Sequence, residues 1–113
     1  MHRGEVWWAD LAEPRGSEPG FRRPVVVVQD DLLTASALAT VMVVPMTANL
    51  ARGQAIGNVT LPPSETGLDR PSVALVCQVM TIDKDLLVEL SGSLSARARR
   101  WLDTGLRLSL SLG

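Results

Sequence analysis

Pro24-Val25-Val26-Val27-Val28-Gln29 sets four consecutive β-branched side chains behind a proline. Branching at Cβ suits a pleated backbone, and an unbroken apolar run of this length suits a strand buried on both faces, with the proline tolerated at its start. The run therefore predicts a central strand. On its N-terminal side, Ala12 to Arg23 carries Pro14, Gly16, Pro19 and Gly20, the composition of a loop. At about twelve residues it exceeds the usual ~4 to 6 for a connection, and long loops in compact domains tend to carry function. Before the loop, Glu5 to Leu11 with Val6, Trp7 and Trp8 predicts a half-buried first strand.

On the C-terminal side, Asp30 to Leu38 predicts a short helix capped by Asp30 or Asp31, and Thr40 to Met46 a third strand. Asn58 to Leu61, Ser72 to Met80 and Leu86 to Leu90 read as further strands, the last two separated by the turn Asp83-Lys84-Asp85. From Ser95 onward the pattern becomes helical, with Leu94, Ala98, Trp101 and Leu102 on one face and Ser93 or Ser95 as cap. Gly105 weakens the middle of that helix, and the period-two leucines 106, 108, 110 and 112 favour an extended or partner-dependent tail. Five or six short strands with a terminal helix make a strongly bent antiparallel sheet or partly open barrel, mainly β with minor α. No repeat or composition shift divides the 113 residues, so one domain spanning 1–113 is expected.

Eleven Lys+Arg against twelve Asp+Glu leave a net charge of -1, so the whole molecule is no general polycation. Cys77 is the lone cysteine and His2 the lone histidine. A His/Cys zinc site, a serine or cysteine hydrolase triad and a two-histidine nuclease thereby lose their usual parts, and neither a cofactor nor a metal is expected. No segment reaches the ~18 to 20 apolar residues of a membrane span, and Met1-His2-Arg3-Gly4-Glu5 turns polar at once, so the chain reads as cytoplasmic, with no membrane partner.

Several segments in order resemble the MazF/PemK family of toxin endoribonucleases. They are Arg3 to Leu11, Gly16-Ser17-Glu18-Pro19-Gly20, Arg23-Pro24 leading into the valines, Val43-Val44-Pro45-Met46-Thr47, Gly67-Leu68, and Gln78 to Lys84. The resemblance implies an SH3-like antiparallel β-barrel with short helices, a homodimer, metal-independent cleavage of single-stranded RNA at short sequences, and an acidic cognate antitoxin of the MazE kind. Carried over by motif, Arg23 and Thr47 form the catalytic pair. Ser17 and Glu18 line the RNA groove, Arg22 adjoins it, and Gln78 faces substrate. Met80 departs from the family, which often has an arginine there. The same barrel also resembles gyrase-poisoning toxins that do no chemistry, and fold alone does not separate the two.

RNA carries its own nucleophile, so a nuclease of this kind needs only to help the 2'-hydroxyl attack phosphorus and to stabilise the developing charge. A guanidinium offers several fixed donors matched to phosphate oxygens, which suits Arg23 to charge stabilisation. A guanidinium holds its proton at neutral pH, which argues against a role as base. Thr47 adds a hydroxyl donor, although it equally suits a turn cap. Glu18 is the nearby carboxylate able to take a proton. Gln78 fits either substrate contact or a satisfied amide. Trp7, Trp8 and Trp101 read as core or dimer contacts, Arg97, Arg99 and Arg100 as a solvated helix face, and Cys77 as inert core packing.

Overall fold

The computed structural model describes residues 1–11 and 21–113. Within them seven strands form one antiparallel sheet: β1 (Glu5–Asp10), β2 (Arg22–Val27), β3 (Thr40–Thr47), β4 (Val59–Leu61), β5 (Ser72–Ala74), β6 (Met80–Asp83) and β7 (Leu87–Ser93). Their order is β4-β5-β3-β2-β1-β7, with β6 also paired to β3. The expected mainly-β, strongly bent architecture with short helices and a C-terminal helix is the one observed.

The valine run lies near the middle, between β1 and β3. Val26 enters one core cluster and Val25 and Val27 the other, the period-two division that a two-faced strand requires. Two devices curl the sheet. The pairing of β1 with β7 shifts register after Val6 and again after Trp8, and such irregularities increase local twist. β3 changes partner along its length, pairing with β6 from Thr40 to Val43 and with β5 at Met46 and Thr47. Pro45, which has no N–H to donate, falls at that changeover, where its carbonyl accepts from the Leu75 amide at 2.9 Å.

The Ser72–Met80 segment is not one strand. β5 ends at Ala74, a single 3-10 turn covers Val76–Gln78, and β6 follows from Met80. The turn carries Cys77 out to the surface, so this cysteine does not pack in the core. Its amide donates to Asn58 Oδ1 at 3.4 Å.

Among the described residues three α-helices accompany the sheet: α1 (Asp31–Thr34), α2 (Pro63–Thr66) and α3 (Ala96–Leu110). Helix α1 is shorter than Asp30–Leu38. Asp30 caps its start by accepting from the Leu32 amide at 2.8 Å, and Lys84 Nζ closes its end by donating to the Thr34 carbonyl at 2.7 Å. Helix α3 starts at the Ser95 cap, whose hydroxyl accepts from the Ala98 amide at 3.1 Å. It buries Ala98, Leu102, Gly105 and Leu106 against the core cluster that holds Val26, Val44 and Met46. Trp101 is not on that face. The buried stripe follows the i, i+4 spacing of 98, 102 and 106, which turns residue 101 to the flank, where Arg97 lies 5.2 Å over its ring.

The helix also continues to Leu110, through all but the last of the tail leucines that looked extended. Gly105 explains why, since it is a close-approach site rather than a weakness. A Cβ there would strike the Gly57 carbonyl oxygen, and Gly57 itself sits at φ +87. The missing side chain lets helix and turn touch, and Leu106 next to it is buried.

Candidate active site

The polar stretch expected to loop as far as Arg23 yields to strand earlier, because β2 starts at Arg22. Asp10 pairs with Arg22 and Ala9 with Arg23 across β1. Alternation then gives the two arginines different surroundings. The Arg22 guanidinium is occupied: Nη2 donates to Glu89 Oε2 at 2.9 Å, Asp10 lies 4.0 Å from Nη1, and the group sits 5.5 Å over the Trp8 ring. Arg23 is half-buried, and its Nη1 donates to the Met46 carbonyl at 3.2 Å. Among the described residues no carboxylate pairs with it.

Strands β2 and β3 pair as Val25–Pro45, Val26–Val44 and Val27–Val43. The same register carried two residues further sets Arg23 opposite Thr47. The Thr47 hydroxyl oxygen accepts from the Asn49 amide at 3.2 Å, which satisfies the turn and leaves the hydroxyl hydrogen available to donate. Turn cap and hydrogen-bond donor are thus compatible roles for one side chain.

Both residues line an open cleft of about 320 Å³, together with Trp8, Arg22, Pro24, Met46, Ala48, Leu68, Asp69, Arg70 and Ser72. The α2–β5 connection forms one wall. Gly67 starts it at φ +75, where a Cβ would meet the Ser91 carbonyl. Thr66 Oγ1 accepts from the Leu68 amide at 3.1 Å, and the Ser72 hydroxyl donates to the Arg70 carbonyl at 3.3 Å.

Of the residues singled out from sequence, Arg22, Arg23 and Thr47 come together here. Gln78 does not line the cleft. It lies in the Val76–Gln78 turn, which packs on α3, and its Oε1 is buried without a hydrogen-bond partner among the described residues. Ser17 and Glu18 lie outside the described residues. Met80 is half-buried against the cluster containing Val25, Val41 and Ile82, so β6 supplies an apolar side chain where a cation is common. The cleft adds residues that sequence reading missed: Trp8, which was assigned to core or dimer packing, and Leu68, Asp69 and Arg70. Asp69 puts a carboxylate in the lining of the same cleft, a candidate proton acceptor that the sequence did not single out. Nothing local marks Asp69-Arg70, a charged pair before a proline, as different from a solvated turn. Among the described residues no three His, Cys, Asp or Glu side chains converge as a metal site.

The family profile described as PemK-like, MazF-like toxin of type II toxin-antitoxin system matches residues 2–110. The chain belongs to the PemK/MazF toxin family. PemK/MazF relatives match over nearly the whole chain. Endoribonuclease MazF2 of Mycobacterium bovis is 44% identical over 112 residues, covering 99% of this chain and 98% of that protein. Endoribonuclease EndoA of Bacillus subtilis is 34% identical over 112 residues, covering 99% and 96%. In the solved structure of an endoribonuclease in complex with its cognate antitoxin from a mycobacterial species, the toxin-like fold superposes with a TM-score of 0.81 at 23% identity, covering 100% of this chain and 97% of that one. A MazE-MazF structure from Deinococcus radiodurans gives 0.77 at 22%, covering 100% and 97%. The two superpositions speak for the PemK/MazF fold. No helix among the described residues is long and apolar enough to cross a membrane.

Proposed function

We propose that this PemK/MazF chain is a cytoplasmic endoribonuclease toxin that cuts single-stranded RNA at short sequences without a metal ion. The reading rests on one observation: Arg23, with no carboxylate partner among the described residues, and Thr47, with a hydroxyl hydrogen to spare, line the same open cleft. The 2'-hydroxyl gives up its proton as its oxygen bonds to the adjacent phosphorus, the P–O5' bond breaks, and the 5'-oxygen takes up a proton as it leaves. The products are a 2',3'-cyclic phosphate and a 5'-hydroxyl. Arg23 stabilises the charge gathering on the non-bridging oxygens, and Thr47 adds one donor. Arg22, Ser17 and Glu18 are assigned to RNA contact, and Gln78, which lies away from the cleft in the turn packed on α3, is withdrawn from that set. Two copies assemble as a homodimer, and a cognate acidic antitoxin occupies the cationic path.

The test is incubation with long single-stranded RNA in EDTA, with the cut ends mapped chemically. Cleavage yielding cyclic phosphate ends, abolished by a 2'-deoxy substitution 5' to the cut, is the expected result. A requirement for added magnesium, or inhibition of gyrase with no RNA cleavage, overturns the proposal.

A further inference from the structure

We infer that Arg70 is a phosphate-binding residue of the cleft, gripping an RNA phosphate next to the one that is cut. The inference rests on the RNA-cleaving reading above. Among the described residues three guanidinium groups line this cleft, those of Arg22, Arg23 and Arg70. They are not equivalent. Arg22 already spends its donors on Glu89 at 2.9 Å and faces Asp10 at 4.0 Å. Arg23 is half-buried and anchored to the Met46 carbonyl beside Thr47, the position suited to the reacting phosphate. Arg70 faces a single carboxylate among the described residues, that of its neighbour Asp69 at 3.8 Å, with both side chains largely in water. An exposed pair of that length contributes little and exchanges readily for a phosphate, which takes a guanidinium in bidentate fashion.

The backbone under Arg70 is held although its side chain is not. The Ser72 hydroxyl donates to the Arg70 carbonyl, and the connection is pinned at its start by the left-handed Gly67 and the Thr66 hydroxyl. A long donor on an anchored base can reach a backbone phosphate at small cost in loop ordering. Arg70 also supplies a cation that β6 does not, because Met80 packs against the core. A phosphate contact carries no base information, so Arg70 acts on affinity uniformly across RNA sequences.

The experiment measures binding of a fluorescent single-stranded RNA, made uncleavable by one 2'-deoxy residue, across a salt series, alongside steady-state cleavage of the all-ribose RNA. Arg70→Ala is compared with Arg100→Ala, which removes the same charge from the exposed side of α3. Arg70→Ala is expected to weaken binding roughly three- to tenfold at low salt and to reduce the log–log salt slope by about 0.7. KM rises by a similar factor, with kcat at saturation kept. Arg70→Lys retains the slope, Asp69→Asn binds more tightly, and Arg100→Ala matches wild type. If Arg70→Ala and Arg100→Ala share one slope and one KM while wild type cuts RNA, the Arg70 assignment is wrong and the nuclease reading stands. A wild-type protein that neither binds nor cuts RNA overturns both.

Discussion

Arg22 and Arg23 are adjacent in sequence and chemically identical, yet the strand points them into different company. Arg22 is clamped by Glu89 and stacked on Trp8, whereas Arg23 faces the cleft with a carbonyl as its only recorded partner among the described residues. Arg23→Ala is therefore expected to lower the cleavage rate by roughly 10² to 10³, the usual cost of one transition-state donor, with circular dichroism unchanged. Arg23→Lys keeps the charge but loses the planar fork and should recover part of that rate. Thr47→Ala should cost less than Arg23→Ala. A folded Arg23→Ala that cuts RNA at the wild-type rate would falsify the catalytic assignment.

Helix α3 shows how an element's stability is shared with segments far away in sequence. Substituting alanine for Gly105 adds about 1 kcal/mol of helix propensity, but the new methyl collides with the Gly57 carbonyl, and overpacking of this kind costs about 1–3 kcal/mol. Because Gly57 is held in the left-handed region, the turn has little freedom to retreat. Urea unfolding of Gly105→Ala should show a net loss of stability, and a gain would mean that helix and turn separate freely. At the other end, Glu65 accepts from the Ser95 amide at 2.7 Å and the Ser95 hydroxyl at 2.8 Å. Mainly the Ser95 amide bond, then its hydroxyl, holds the Glu65 carboxyl below the ordinary value of 4.5, against a small opposing effect of burial. A carboxyl depressed in the folded state stabilises above its unfolded pKa and loses that contribution as pH falls through the folded one. Wild type should thus melt above Glu65→Gln at neutral pH, and the gap should close as pH drops below about 4.5. A gap that is constant with pH would show that charge at Glu65 plays no part.

Across the whole molecule, the sheet and α3 enclose the valines but leave several leucines in water. Leu32 is 84% exposed, Leu108 60% and Leu112 65%. Exposed apolar side chains in this number, with Met42 also partly exposed, fit a surface that a second copy covers. Sedimentation at micromolar concentration should give twice the 12.1 kDa chain mass, and monomer alone would count against the dimer. Arg22, Arg23 and Arg70 around one cleft also predict that an acidic antitoxin peptide binds more weakly as salt rises. Equal binding to a variant lacking all three arginines would show that the peptide docks elsewhere.

Local pattern alone determined the central valine strand, the antiparallel mainly-β class, the capped terminal helix and the ordered motifs that carry the family resemblance. The family resemblance, not local pattern, put Arg23 and Thr47 forward, because a charged strand entrance and a strand-ending hydroxyl by themselves equally suit a solvated surface and a turn cap. Tertiary structure decided which arginine is occupied, since Glu89 is 67 residues from Arg22 in the chain and meets it only across β1 and β7. It also broke Ser72–Met80 into strand, turn and strand, exposing Cys77, and brought Trp8 and Arg70 to the cleft wall. Periodicity reports whether a side chain faces core or water, and capping reports where an element stops. Neither carries information about partners that become neighbours only when distant strands pair.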